Sequence, residues 1–292
     1  MPDFLTKIFA WLFSFTSTGV IALCGPPAPP VIPDTPDVMT QELTVMSFNV
    51  WMDIGSLGER INGVKQTILS EQPDSFGLQE AHELWRLRLW WALRRDYGIA
   101  AWRGRYFGLG EATPIFYRKD KYCVVKKGVF WLSDNPGVAS MGWDADLPRV
   151  AGYVVLKDKQ TGFTYVHFNA HFDHRGSTAR ANSAALIADR INELGLPAVF
   201  TADVNAAPGS LPALYLEAGG LIDLREVAPG ADRGFTLHGY SGHSSGVVID
   251  YIYANHYLRT RETASFRVIR DQYDGMYPSD HFAVAATLTL AN

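Results

Sequence analysis

Cysteine and charge are what this 292-residue chain has little of: two cysteines, Cys24 and Cys123, and a formal net charge of −4 at pH 7. Two thiols cannot build a disulfide scaffold. If the N-terminal segment is cleaved near Cys24, Cys123 is left without a partner in the chain, so the low count says nothing against export. The mildly negative balance lacks the footprint of a protein that grips DNA or RNA unspecifically, since that affinity comes from Lys and Arg at phosphates. A local basic cluster, Arg86, Arg88, Arg94 and Arg95, falls in one predicted helix and reads as a solvated face. No internal repeat is visible.

What is present begins with an N-terminal address. Lys7 precedes an apolar run from Ile8 to Cys24 with small residues towards its end, the pattern of an export segment over residues 1–24. Leu23 stands where a lipoprotein cleavage box requires a small residue, and the run is at the short limit for a membrane span. Secretion or a periplasmic location is therefore expected first, and a membrane tether second. Six prolines between Gly25 and Asp37 (Pro26, Pro27, Pro29, Pro30, Pro33 and Pro36) make residues 25–40 an extended linker. Residues 41–292 form one domain, because the motifs below run from its beginning to its end, and 47 % apolar content supplies a sizeable core. A monomer is expected.

Ile61, Val64 and Ile68 recur at helical spacing in Glu59–Glu71, which Pro73 ends, and Glu83–Arg95 repeats the pattern. Strands are predicted at 114–118 and 122–132, and Val150–Leu156 pairs with Phe163–His171 as a hairpin. An Ala-rich helix over Thr178–Leu194 closes on Gly195. Hairpins in runs, with helices between them, imply an antiparallel-rich α/β sandwich in which helices cover two packed sheets.

Six apolar strands end on polar or titratable groups. They deliver Asn49, Glu80, the cluster His171-Phe172-Asp173-His174, Asp203-Val204-Asn205, Asp250 and Asp280-His281. Strand ends meet water, so any one of these is unremarkable. Six that carry acids, amides and imidazoles but no Lys point to a shared site. An Asp bonded to one ring nitrogen of a His fixes its tautomer and supports charge on the other.

In this order and spacing the chain resembles the endonuclease/exonuclease/phosphatase superfamily, the metal-dependent, DNase I-like phosphoesterases. The resemblance rests on Phe48-Asn49, Leu78-Gln79-Glu80, Asn169 to His174, Asp203-Val204-Asn205, Ile249 to Ile252 and Ser279-Asp280-His281. Two departures are visible: Ala202 stands where the family commonly has Gly, and Asn49-Val50-Trp51 has no acid two residues after the amide.

The resemblance implies a four-layer α/β sandwich, two packed, mostly antiparallel sheets flanked by helices, and hydrolysis of a phosphoester substrate with Mg2+ or, in its place, Mn2+. Glu80 would be the metal ligand, with Asn49 and Asp280 on the metal side. Asp203 would accept the attacking water's proton and Asn205 would orient water or phosphate. His171 would donate to a phosphate oxygen, and His281, oriented by Asp250, would bind phosphate or share the proton; which of Asp203 and His281 is the base stays open. Arg175 and Arg180 are the expected contacts to an anionic substrate. A zinc hydrolase built on His171, Asp173, His174, Asp203 and His281 is the rival, against which the Glu and Asn residues favour a hard ion. A secreted or anchored nuclease would carry the same residues, as would a non-catalytic binding module of the same fold. Trp102, Trp131 and Trp143 are expected in the core, and His238 and His243 in a solvated Gly/Ser-rich loop.

Overall fold

The computed structural model describes residues 41–290 apart from 103, 107–109, 243–245, 259 and the side chains of 260–264. The expected export segment and linker over residues 1–40, and His243, lie outside the described residues. In chain order the elements are β1 (Gln41–Asn49), α1 (Leu57–Glu71), β2 (Ser75–Gln79), α2 (Glu83–Leu93), β3 (Tyr97–Ala100), β4 (Ile115–Arg118), β5 (Tyr122–Trp131), β6 (Val150–Asp158) and β7 (Thr164–His171). There follow α3 (Ser177–Leu194), β8 (Ala198–Asp203), α4 (Leu211–Ala218), β9 (Leu221–Asp223), α5 (Leu224–Val227), β10 (Asp250–Asn255), β11 (Thr260–Ile269) and β12 (Ala283–Leu290).

The strands form two six-stranded sheets, ordered β11-β12-β1-β2-β4-β3 and β5-β6-β7-β8-β10-β9. Among the described residues only β1/β2 and β7/β8 pair in parallel, one pair in each sheet. Between the sheets lie Leu43, Val45, Val154, Leu156, Val199, Ile252 and Val284. The opposite faces pack on helices: Phe48, Phe76 and Phe116 on Val64 and Ile68 of α1 and Trp85 and Leu89 of α2, and Phe168, Phe200 and Tyr253 on Ile187 and Ile191 of α3 and Leu216 of α4. The result is the expected four-layer sandwich, in which alternate residues of each strand serve alternate layers.

Local chemistry sets the helix ends. Asp53 accepts from the Gly55 and Ser56 N–H groups and the Ser56 hydroxyl ahead of α1, and Gln72 leaves α1 in left-handed backbone before Pro73. The Arg-bearing helix α2 is not a basic stripe: Arg86 is buried and donates to the Trp102 carbonyl, while Leu84, Leu87 and Trp91 are exposed. Trp131 is core as expected, whereas Trp102 is 49 % exposed. Ala202 packs under α3 with Ala170 and Val204, so its methyl points away from the cleft. Among the described residues no helix is long and apolar enough to cross a membrane.

Parallel pairing is what positions the site. It aligns Asn49 with Gln79 in one sheet and His171 with Asp203 in the other, so four strand ends open on one edge of the sandwich. The antiparallel strands β10 and β12 start from that edge, where Asp250 lies opposite Asp203 and His281 precedes β12.

Candidate active site

Below the cleft the inter-sheet layer turns polar. Ser75 Oγ lies 2.7 Å from His167 Nδ1, His167 Nε2 lies 2.8 Å from Thr201 Oγ1, and Gln79 Nε2 donates to Asn169 Oδ1 at 2.7 Å. Burial alone pushes His167 down to about 3, so this ring is neutral. Gly77 lets the sheets close here: a Cβ would stand 2.2 Å from Thr201 Oγ1 and 2.4 Å from Asn169 Oδ1.

Above that layer the predicted residues meet. Asn49 joins the two sheets, its Nδ2 donating to Glu80 Oε1 at 3.1 Å and to Asp203 Oδ2 at 2.9 Å, while its Oδ1 accepts from Trp51 N–H. Glu80 Oε2 accepts from Met52 N–H at 2.9 Å. Asp203 Oδ1 accepts from Asn205 N–H. Trp51, Glu80 and Asn205 all have positive φ (53°, 57° and 51°), a conformation that costs energy in non-Gly residues and swings each side chain off its strand line.

His281 sits among carboxylates. Its Nδ1 is 2.9 Å from Asp250 Oδ2 and its Nε2 is 3.9 Å from Asp203 Oδ2. Burial opposes charge on this ring, but Asp250, Asp203 and Asp280 outweigh burial and lift it to about 10. His281 is therefore an imidazolium at neutral pH. Burial, then the Asp250 charge, raise Asp203, while His171 and His281 pull it down. Asp280 is raised by burial and by Glu80, and its Oδ1 lies 3.3 Å from Ser279 Oγ. Ser279 Oγ donates to the Asn49 carbonyl at 2.7 Å, tying the segment before β12 to the end of β1.

On the other side of Asp203, His171 Nε2 lies 3.5 Å from Asp203 Oδ2. Its Nδ1 meets Glu111 Oε1 at 2.5 Å. Glu111 is buried and also accepts from Arg149 at 3.0 Å and Arg105 at 2.8 Å. Burial would raise its pKa, but His171 and the two guanidiniums hold it well below the usual carboxylate range. For His171, burial and Arg149 oppose protonation while Glu111 and Asp203 favour it, for a net upward shift. Asn205 Nδ2 donates to Phe172 O and to His171 Nε2 at 2.9 Å, which requires an unprotonated Nε2. The ring can take a proton only if that amide turns away.

Glu111 and Arg149 were not expected as site residues. Glu111 lies in irregular chain ahead of β4, and Arg149 immediately before β6, so neither ends an apolar strand. Their one sequence signal is a lone charge in a run of small or apolar residues, Gly110-Glu111-Ala112 and Pro148-Arg149-Val150. The expected substrate arginines lie elsewhere. Arg180 Nη1 donates to the Asp173 carbonyl, and Arg175, with 73 % of its side chain exposed, lies 3.8 Å from Asp146. His174 Nδ1 is 3.1 Å from Arg149 Nη2, and Asp173 accepts from the Arg175 and Gly176 N–H groups. His238 is buried and holds the Asp280 carbonyl through its backbone N–H, correcting the solvated position expected for it.

Among the described residues two groups could hold a cation. Asp203, Asp250 and His281 offer ligand atoms within 4.8 Å of one another, with His281 Nδ1 engaged to Asp250. Glu80 and Asp280 offer hard carboxylate oxygens, and their mutual repulsion, visible in the raised Asp280, is what a divalent cation relieves.

The sequence matches the Endonuclease/Exonuclease/phosphatase family over residues 46–281. Among solved structures it is similar to an endonuclease/exonuclease/phosphatase family protein from Bacteroides thetaiotaomicron, 33 % identical, with 87 % of this chain and 99 % of that one covered at a TM-score of 0.79. It is also 33 % identical to a mannosyl-6-phosphatase from Bacteroides thetaiotaomicron VPI-5482, with 84 % and 99 % covered at a TM-score of 0.74. TDP2 from D. rerio, complexed with a single-strand DNA product, is 17 % identical at a TM-score of 0.71, with 85 % and 98 % covered, and shares the fold alone. No curated protein matches. The chain belongs to the endonuclease/exonuclease/phosphatase family.

Proposed function

We propose that the protein is a Mg2+-dependent phosphomonoesterase, with Asp203 as the general base and His281 as the cationic partner of the phosphate. The observation that carries this is Asp203, placed between two imidazoles, with the one beyond it held protonated by Asp250. An imidazolium cannot accept the water's proton, and the unprotonated Nε2 of His171 is taken by the Asn205 amide, which leaves the carboxylate to do so. Water loses its proton to Asp203 as it attacks phosphorus, the bond to the alcohol oxygen breaks, and solvent protonates the released alkoxide. His281 Nε2–H is the donor for charge on the nonbridging oxygens, and the Asn205 amide and His171 join it once the amide turns from Nε2 and that nitrogen is protonated. Glu80 and Asp280, steadied by Asn49 and Ser279, would hold Mg2+, or Mn2+ in its place, whose contribution is Lewis-acid neutralisation of the phosphate.

A monoester is favoured over nucleic acid by the net charge of −4 and by the 33 % identity to a protein named a mannosyl-6-phosphatase. Lys7 and the apolar run behind it support action outside the cytoplasm, released or tethered. Release of phosphate from p-nitrophenyl phosphate should need Mg2+, stop with EDTA and fall more than about 10³-fold in Glu80→Gln. Activity in EDTA, or faster cleavage of plasmid DNA or bis-p-nitrophenyl phosphate than of the monoester, would overturn the assignment.

A further inference from the structure

A cavity of about 680 Å³ is lined among others by Trp51, Glu59, Arg60, Tyr240, Gln272 and Tyr277. That volume is typical of small-molecule sites. Its walls belong to chain segments that run into the metal side of the site. Trp51 follows Asn49 by two residues, Tyr277 precedes Asp280 by three, and the His238 and Gly239 N–H groups that carry Tyr240 into place both donate to the Asp280 carbonyl.

The described walls offer a second anion no free cation. Among the described lining residues Arg60 is the one cation, and all five of its N–H donors are committed: Nε to Ser56 Oγ, Nη1 to the Val50 and Pro278 carbonyls, Nη2 to those of Trp51 and Asp53. These bonds pin the segment after β1 to the segment before His281, so the cavity is formed in advance. Arg60 also lies over the Trp51 and Trp85 rings, at 4.9 and 4.7 Å. A polyphosphate, or a nucleic-acid strand continuing past the cleaved bond, would find no counter-charge among the described lining residues. Glu59 adds a carboxylate that repels either one.

The walls suit a ring with an apolar face and hydroxyl edges. Trp51 and Tyr240 meet edge to face, with centroids 5.1 Å apart and planes at 62°, so they cannot sandwich a flat base between parallel rings. Tyr277 is braced by His238, which stacks on Phe282 at 3.9 Å. Aromatic surface packs against the C–H face of a sugar, while Glu59 and Gln272 can bond its hydroxyls. Trp51 and Tyr240 both keep left-handed backbone, at φ 53° and 63°, to present these faces.

We propose that this cavity binds the alcohol half of the substrate and that this alcohol is an uncharged sugar unit. The proposal rests on the phosphoester hydrolysis assigned above and names its substrate class. The test measures kcat/KM with Mg2+ on hexose 6-phosphates, methyl phosphate and adenosine monophosphate, in the parent enzyme and in Trp51→Ala, Tyr240→Ala and the exposed rim variant Glu59→Gln. The parent should prefer a hexose phosphate to methyl phosphate by about 100-fold, and the wall variants should cut that ratio about tenfold, mainly through KM. Methyl phosphate turned over as well as every sugar phosphate, or a ratio unmoved in all three variants, overturns the sugar site while leaving the hydrolase assignment standing. Adenosine monophosphate as the better substrate overturns the sugar class. No turnover of any monoester by the parent removes the hydrolase assignment and this proposal with it.

Discussion

His171 and His281 are built alike and end up different. Both rings are buried at the mouth of the cleft, both meet a carboxylate at Nδ1, and both turn Nε2 towards Asp203. Around His281 the other charges are acidic, Asp203 and Asp280, and the ring stays protonated up to about 10. Around His171 the carboxylate partner is shared with Arg149 and Arg105, and an amide donor faces Nε2. A histidine–carboxylate pair does not by itself define a role: the next charge out decides whether the ring is a fixed cation or a group that can gain and lose a proton. The asymmetry also supports the proposal of Asp203 as the base, since His281 starts as an imidazolium and the Nε2 of His171 is taken by the Asn205 amide.

Breaking the His281 side should cost most. Asp250→Asn keeps the shape but removes the charge that overrides burial, so the ring loses its proton and presents the wrong tautomer. A loss of about 10³–10⁴ in kcat is expected. The pH profile should move with it. In the parent, kcat/KM should hold through neutral pH and fall only as His281 deprotonates near 10, whereas in Asp250→Asn the alkaline fall should begin far lower. An unshifted alkaline limb in the variant would show that another group sets it.

Breaking the His171 side should cost less in rate and more in stability. Glu111→Gln leaves Arg149 and Arg105 buried without their carboxylate, a change worth about 3–5 kcal/mol of folding free energy. The rate should fall by about 10²-fold, the lower end for a positioned proton donor. Urea unfolding and kcat, measured together, check both numbers. A variant as stable as the parent would mean that the two guanidiniums find other partners.

The same contrast separates what the sequence showed from what it hid. Asn49, Glu80, His171, Asp203, Asp250 and His281 each close or open a strand of alternating apolar residues, and parallel pairing of β1/β2 and β7/β8 brings such ends together. The hairpin of β6 and β7 and the helices α1 and α3 were legible from periodicity and from the Pro73 and Gly195 stops. Glu111 and Arg149 were not, because no period leads to either; they reach His171 through tertiary packing alone. Strands β3 and β11 were equally hidden, one only four residues long and the other an edge strand with two register shifts.

A third histidine gives the control for both pairs and the smallest expected effect. His167 is as buried as the other two but has only hydroxyls at its nitrogens, Ser75 and Thr201, and burial takes it down to about 3. Its free pKa is near 6.5, so the unfolded chain takes up a proton there before the folded chain can. The stability that comes with a neutral His167 is thus present above 6.5 and lost as the pH falls towards 3, at up to about 1.4 kcal/mol per pH unit. Glutamine can bridge the same two hydroxyls and does not titrate. His167→Gln should cost about 1 kcal/mol at pH 7 through poorer packing and hydrogen bonding. By pH 4.5 that deficit should vanish or reverse, because the parent has lost about 2–3 kcal/mol that the variant never had. Turnover at pH 7 should stay close to the parent's, since His167 lies a layer below the cleft. Urea midpoints of the two proteins at pH 7 and pH 4.5 decide it: a gap that stays constant would mean that His167 is already protonated in the folded core, and that a buried imidazole here needs no carboxylate to carry charge.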